Sequence, residues 1–287
     1  MTGTASTIRY DHPVRLSALA RRLTQPNPGP FTGPGTNTFL VGARSLVILE
    51  PGEARDDDHL ERIVAAVAGS RVLAVIPSHG HEDHWTLAPA LAGRLGAPIW
   101  YHGAHPSLQV DLRFLEDGDE IALDGARLDV PHTPGLPRAL ELRAPRQGRA
   151  LPGRPRDGGG PPSIIAPPEG IPAQYLRSLG GWRRIPGLEV AHPAHGEAFR
   201  IHAVGSGSSD PSGGTHGAAP QCFEGHSARW PALVGRVYTD VDPSLHPAAA
   251  LSLRAHLIAL ESEGRVTARA GGDAADWEST IWALTGG

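Results

Sequence analysis

The stretch Val72-Leu73-Ala74-Val75-Ile76-Pro77-Ser78-His79-Gly80-His81-Glu82-Asp83-His84 joins two patterns that are rarely adjacent. Its first half is a continuous apolar run of the kind that forms a strand buried on both faces. Its second half carries three histidines and an aspartate within six residues, at His79, His81, Asp83 and His84. Imidazole and carboxylate at that density suit a divalent ion of the zinc type, provided tight turns swing the side chains into one pocket. A solvated, histidine-rich loop that binds nothing is the plainer alternative. The context argues against it, because a strand pattern enters the motif and a helical pattern, Trp85 to Leu95, leaves it.

Outward from this motif the chain alternates strand and helix patterns. On the N-terminal side, Pro26 to Gly42 is a Pro/Gly loop feeding a strand, and Thr38 to Val41 and Ser45 to Leu49 flank Gly42-Ala43-Arg44 as a hairpin would. Asp56 to Ala68 places Leu60, Ile63, Val64 and Val67 at helical spacing, with acidic residues at its start. On the C-terminal side, Pro98 to Tyr101 reads as a strand. Glu120 to Leu123 and Arg127 to Val130, joined by Asp124-Gly125, read as a hairpin that delivers Pro131-His132-Thr133-Pro134-Gly135. Alternation of this kind implies an α/β fold with helices outside.

The pattern His-x-His-x-Asp-His at His79 to His84 resembles the signature of the metallo-β-lactamase superfamily. That resemblance implies an αββα sandwich. It also implies that His79 and His81 serve one metal, while Asp83, His84 and His195, the last within His192-Pro193-Ala194-His195-Gly196, serve a second. Asp83 is then the candidate catalytic residue as well as a ligand. The implied cofactor is zinc, one or two ions, which would polarise a carbonyl or phosphoryl oxygen and bring the pKa of water to ~7. Glu50-Pro51-Gly52 stands where the family usually has Asp-x-Gly, a carboxylate that orients the ligands. The Gly-Thr-Asn-Thr stretch at 35–38 resembles the family's first hairpin beside the site, and reads equally as a structural turn.

Two positions depart from that pattern. Leu136 follows Thr-Pro-Gly where the family has a histidine, and Gly153-Arg154 is the nearest match to its bridging Gly-Asp. An arginine there would place positive charge beside a dication. His132 is a possible replacement ligand, or an ordinary strand-end histidine. Residues 138 to 157 hold six arginines and show no strand alternation, and Val204 to Ser227 is rich in Gly and Ser. After each, family-like sequence resumes, first at Ser163 to Gly170 and the helical Ala173 to Trp182, then beyond Ser227. Either the chain is a degenerate relative that acts through its shape or its tail, or the gene carries compensating frameshifts. The second explains the clean resumption. All 26 basic side chains are arginine, with 36 Gly and 28 Pro, the composition of GC-rich coding DNA.

Beyond residue 228, helical patterns at Pro231 to Val237 and Pro247 to Glu263, the latter with Ala250, Leu253, Leu257 and Leu260 on one face, precede a Gly-punctuated hairpin. This resembles the winged-helix tail of the β-lactamase-like endoribonuclease branch. The expected organisation is a metallo-β-lactamase-like domain at 1–203, a linker at 204–228 and a winged-helix-like domain at 229–287. The expected function is hydrolysis of an ester, thioester or phosphodiester. The alternative is a non-catalytic metal-binding relative that binds RNA or a partner. A small-molecule ester or thioester and single-stranded RNA are thus the expected partners. From Arg229 onward five arginines face seven acidic residues, net -2, so attraction to phosphate is not built in.

The net charge of -4 gives no global reason to bind nucleic acid or an anionic membrane. A single cysteine, Cys222, excludes a disulfide within the chain. No apolar run reaches membrane-spanning length, and the first 16 residues lack a signal-type apolar core. A cytoplasmic protein is expected.

Overall fold

The computed structural model describes residues 8–102, 112–124, 126–130, 142–144, 149–151, 189–200, 219, 221, 223, 227–239, 243, 246–269 and 280–285. The described residues up to 200 and those from 219 onward belong to two compact units.

In the first unit, seven strands form one sheet in sequence order: β1 (Val14–Arg15), β2 (Ala20–Thr24), β3 (Asn37–Gly42), β4 (Ser45–Leu49), β5 (Arg71–Ile76), β6 (Ile99–His102) and β7 (Leu112–Leu115). The pairs from β1 to β4 are antiparallel, and those from β4 to β7 are parallel. The switch to parallel pairing coincides with crossover helices. Helix α1 (Asp57–Ala66) links β4 to β5, and α2 (Glu82–Trp85) with α3 (Ala88–Leu95) links β5 to β6. A second sheet has the order β13-β12-β11-β10-β9-β8, with β8 (Asp119–Leu123), β9 (Ala126–Val130), β10 (Leu142–Ala144), β11 (Arg149–Leu151), β12 (Val190–Ala191) and β13 (Phe199–Arg200).

Strand alternation sorts the side chains into two cores. Phe39, Val41, Val47, Leu49, Ala74, Ile76 and Leu115 of the first sheet pack with Ile121, Leu123, Leu128 and Val130 of the second, filling the space between the sheets. Their neighbours Leu40, Leu46, Ile48 and Val75 face the other way, onto Ile63 and Val67 from the α1 segment and Leu91 and Ala92 of α3. Helix, sheet, sheet is the order of layers this produces among the described residues. The helical segment expected at Ala173 to Trp182 lies outside them.

Three sequence expectations are revised. The helix expected at Trp85 to Leu95 is two helices, because the Leu87 N–H donates to Gly52 O (3.1 Å) and Pro89, early in α3, has no N–H to continue a ladder. The strand expected to be buried on both faces is so only from Ala74 to Ile76, since Arg71 is exposed and Val72 and Leu73 are half-buried. The arginine-rich stretch contains β10 and β11. These pair through backbone groups with β9 and β12, which requires no alternation of side chains.

The second unit contains β14 (Ala228–Arg229), α4 (Trp230–Val237), α5 (His246–Ser262), β15 (Val266–Arg269) and β16 (Ile281–Leu284), with the strands in the order β14-β16-β15. Ala250, Leu253, Leu257 and Leu260 form the expected buried face of α5 and pack with Leu233, Val234, Val266 and Trp282. Ala219 and Phe223, from the stretch expected to be linker, lie in the same cluster. No helix among the described residues is long and apolar enough to cross a membrane.

Candidate metal centre

The centre forms where β4 and β5 end side by side. Parallel pairing of Leu49 with Ile76 brings Glu50 next to the Pro77-Ser78-His79 turn. Glu50 is 1% exposed and adopts φ 52°, the one positive φ at a non-glycine among the described residues. Such a backbone costs ~1–3 kcal/mol and persists only where surrounding contacts impose it. Those contacts are present. The Glu50 N–H donates to Ile76 O (3.1 Å), and its carbonyl accepts from Thr38 Oγ1 (2.7 Å). One carboxylate oxygen accepts from the Ser78 N–H (3.1 Å), and the other pairs with His84 Nδ1.

This pairing decides which His84 nitrogen is available. Nδ1 carries a proton toward Glu50, so Nε2 is the atom left to bind a cation, the arrangement in which a carboxylate fixes a ligand histidine. His84 Nε2 lies 3.1 Å from Asp83 Oδ2 and 3.2 Å from His195 Nε2, and His195 Nε2 lies 3.2 Å from the same Asp83 oxygen. A tetrahedral ion with bonds of about 2.0–2.1 Å would hold its ligand atoms about 3.3 Å apart. The triangle fits a zinc-like ion. Glu50, His79 and His84 make a second close group, but the Glu50 carboxylate is already committed to Ser78 and to His84.

Charge supports the same assignment. Burial alone would lower the His84 pKa, but the Glu50 and Asp83 carboxylates and their hydrogen bonds push it up to about 9. Burial alone would raise Asp83, yet the His84 charge and hydrogen bonds from His195 and His84 hold its carboxyl well below the usual range. Two carboxylates thus converge on one buried imidazole, and a proton occupies the position that a cation would take.

His195 reaches this point by a long-range connection. The Asn37 N–H donates to Ala194 O (2.7 Å), and its side-chain amide donates to Pro193 O (3.0 Å) and Gly196 O (2.8 Å). His195 Nδ1 faces Gly35 O at 3.4 Å. Gln25 and Glu53 exchange two hydrogen bonds of 2.8 Å, which hold the turn after Glu50 against β2.

Asp83, His84 and His195 are therefore brought together. His79 is buried against Ser78 Oγ (2.9 Å) and its Nε2 lies 3.0 Å from Nδ1 of the exposed His81. These two imidazoles are adjacent to each other, but no third described donor completes a group with His81. His132, Leu136 and Arg154 lie outside the described residues. The sequence pointed to Glu50 and to the 35–38 stretch that holds Asn37 and Thr38, without a role for either side chain, and passed over His59. The available signal was Thr36-Asn37-Thr38, three polar residues, all buried, opening an otherwise apolar strand.

Comparison with known proteins agrees with this architecture. The profile described as Metallo-beta-lactamase superfamily matches residues 31–199, and that of the Beta-lactamase associated winged helix domain matches residues 230–277. A Beta-lactamase-like protein 2 homolog of Caenorhabditis elegans is 31% identical over 129 residues, 42% of this chain and 44% of the relative. An Atrochrysone carboxyl ACP thioesterase of Aspergillus chevalieri is 30% identical over 127 residues, 42% of this chain and 40% of the relative. The chain thus matches less than half the length of these curated relatives. The crystal structure of a beta-lactamase domain protein from Burkholderia ambifaria superposes with a TM-score of 0.79 at 19% identity, covering 98% of this chain and 96% of that one. With 31–199 matched to the superfamily and the strand-end centre in place, the chain belongs to the metallo-β-lactamase superfamily and carries a β-lactamase-associated winged helix domain.

Proposed function

We propose that this chain is a zinc-dependent hydrolase of small activated thioesters or esters, with Asp83, His84 and His195 holding the ion. The observation that carries the reading is the buried triangle of donor atoms at 3.1–3.2 Å, backed by the Glu50 carboxylate. The similarity to the Aspergillus chevalieri relative, an Atrochrysone carboxyl ACP thioesterase, supports the substrate class. A zinc ion, when bound, supplies Lewis-acid polarisation of a carbonyl oxygen and brings the pKa of water near 7.

The chain's own residues prepare that chemistry. Glu50 takes the His84 Nδ1 proton in a hydrogen bond and so aims the Nε2 lone pair inward. Asn37 clamps the loop that carries His195. Asp83, with its side chain 20% exposed, is the member of the triangle at which a substrate can approach, while His84 and His195 are sealed from water. Asp83 is thus the candidate catalytic residue as well as a ligand. By the resemblance, Leu136 and Arg154 stand where further ligands belong, so one ion and slow turnover are expected.

The catalytic unit is assigned to 1–203 and the winged-helix unit to 229–287. The burial of Ala219 and Phe223 with the tail argues for moving its start to about residue 218.

The test is turnover of a panel of acyl thioesters, activated esters and single-stranded RNA by the zinc-loaded chain. Hydrolysis of thioester or ester, lost in His195→Ala, supports the reading. RNA binding with a steep salt dependence and no acyl turnover would replace it with the binding-module alternative.

A further inference from the structure

We propose that His59 is a positioning residue for the metal centre, acting through Thr38 on Glu50. The inference rests on the metal-centre reading above. His59 is the third residue of α1, a helix otherwise solvated at its start, yet it is fully buried and its Nε2 lies 2.9 Å from Thr38 Oγ1. Proton counting fixes the direction of that bond. The Thr38 hydroxyl has one proton, and it is donated to Glu50 O at 2.7 Å. Thr38 Oγ1 can therefore only accept from His59, so His59 is the Nε2–H tautomer. Its Nδ1, buried and without a hydrogen-bond partner among the described residues, agrees with a bare lone pair there.

A directed chain results: His59 N–H to Thr38 hydroxyl, Thr38 hydroxyl to Glu50 carbonyl, and Glu50 carboxylate to the Ser78 amide and His84 Nδ1. Each link is a buried group. The Glu50 carbonyl sits on the strained residue itself, so what holds that carbonyl also holds the left-handed backbone that aims the carboxylate. Gly52, at φ 101°, leaves room for this packing, since a Cβ there would lie 3.5 Å from His59 Cδ2 and 2.4 Å from Gln25 Oε1. Neither His59 nor Thr38 hydrogen-bonds to Asp83, His84 or His195. Their effect on the ion is through position alone.

The variants that test this are His59→Leu, which removes the donor, His59→Gln, which keeps an N–H at similar reach, Thr38→Val and Thr38→Ser. Two readouts are taken. In metal-free protein, exchange of the Ser78 amide, which reports the Glu50 carboxylate directly, should accelerate about tenfold in His59→Leu and Thr38→Val. It should remain near the starting value in His59→Gln and Thr38→Ser. Zinc affinity by chelator competition should fall by about tenfold to a hundredfold in the same two variants and recover in the conservative pair. Unchanged Ser78 protection in His59→Leu overturns the proposal whether or not the protein takes up zinc. Equal loss in His59→Gln and His59→Leu also overturns it, because the effect would then be one of packing. If the amide follows the expected pattern while no variant, nor the starting chain, binds zinc, the positioning role stands and the metal reading fails.

Discussion

At the scale of single residues, protons govern the centre. His84, pushed up to about 9 by Glu50 and Asp83, is protonated in the metal-free protein at neutral pH, and an ion must displace that proton to reach Nε2. Zinc affinity should therefore rise about tenfold per pH unit from pH 7 toward 9 and then level off. Calorimetry in buffers of different ionisation enthalpy should show about one proton released per ion at pH 7. Glu50→Gln, which keeps the shape and removes the charge, should weaken zinc by about tenfold to a hundredfold in the same titration. His59 behaves in the opposite sense. Burial, with the Arg62 charge, lowers it to about 3 from an ordinary 6.5, so the unfolded chain binds its proton more readily. Its neutral form carries no penalty above pH 6.5, and stability is lost progressively as pH falls from 6.5 toward 3. Urea midpoints measured from pH 7 to pH 4 should fall less steeply in His59→Gln than in the starting protein.

At the scale of elements, hairpins and strand ends were legible in the sequence because they are written in local chemistry. Gly42 closes the β3–β4 hairpin at φ 128°, and a Cβ there would meet Ser45 O at 2.2 Å and Leu46 Cα at 2.7 Å. Gly42→Ala should cost about 2 kcal/mol or more in equilibrium unfolding, since both the backbone angle and the space are denied. The three- and four-residue spacing of Ala250, Leu253, Leu257 and Leu260 on α5 was equally readable. What the sequence hid was non-local. The break between α2 and α3 depends on Gly52 O, more than thirty residues upstream of Leu87, although Pro89 marked its neighbourhood. The burial of His59 on a helix with acidic neighbours follows from Thr38 on another strand. Pairing of β10 and β11 in an arginine-rich stretch rests on backbone hydrogen bonds that composition does not announce. Of the centre, Asp83, His84 and His195 came from motif resemblance, and Glu50 from its place before Pro51-Gly52. Alternation implied helices outside a sheet, and the two-sheet sandwich came from the resemblance.

At the scale of the whole molecule, two compact units imply a connection that a protease can find. Limited proteolysis should cut first between residues 204 and 218, ahead of Ala219 and Phe223, which are buried with the tail. First cuts inside Val72 to Tyr101 would contradict that division. The tail's net -2 predicts that it contributes little to RNA affinity, so deleting it should not alter retention on single-stranded RNA at moderate salt. On the proposed reading, Asp83, His84 and His195, braced by Glu50, hold one ion while the resemblance's other ligand positions are filled by Leu136 and Arg154. Elemental analysis of the purified chain after dialysis against metal-free buffer tests it most directly. About one zinc per chain, lost in His195→Ala and retained in His81→Ala, is the predicted result. Two tightly held ions in the unaltered chain, or one ion that survives His195→Ala, would contradict the account.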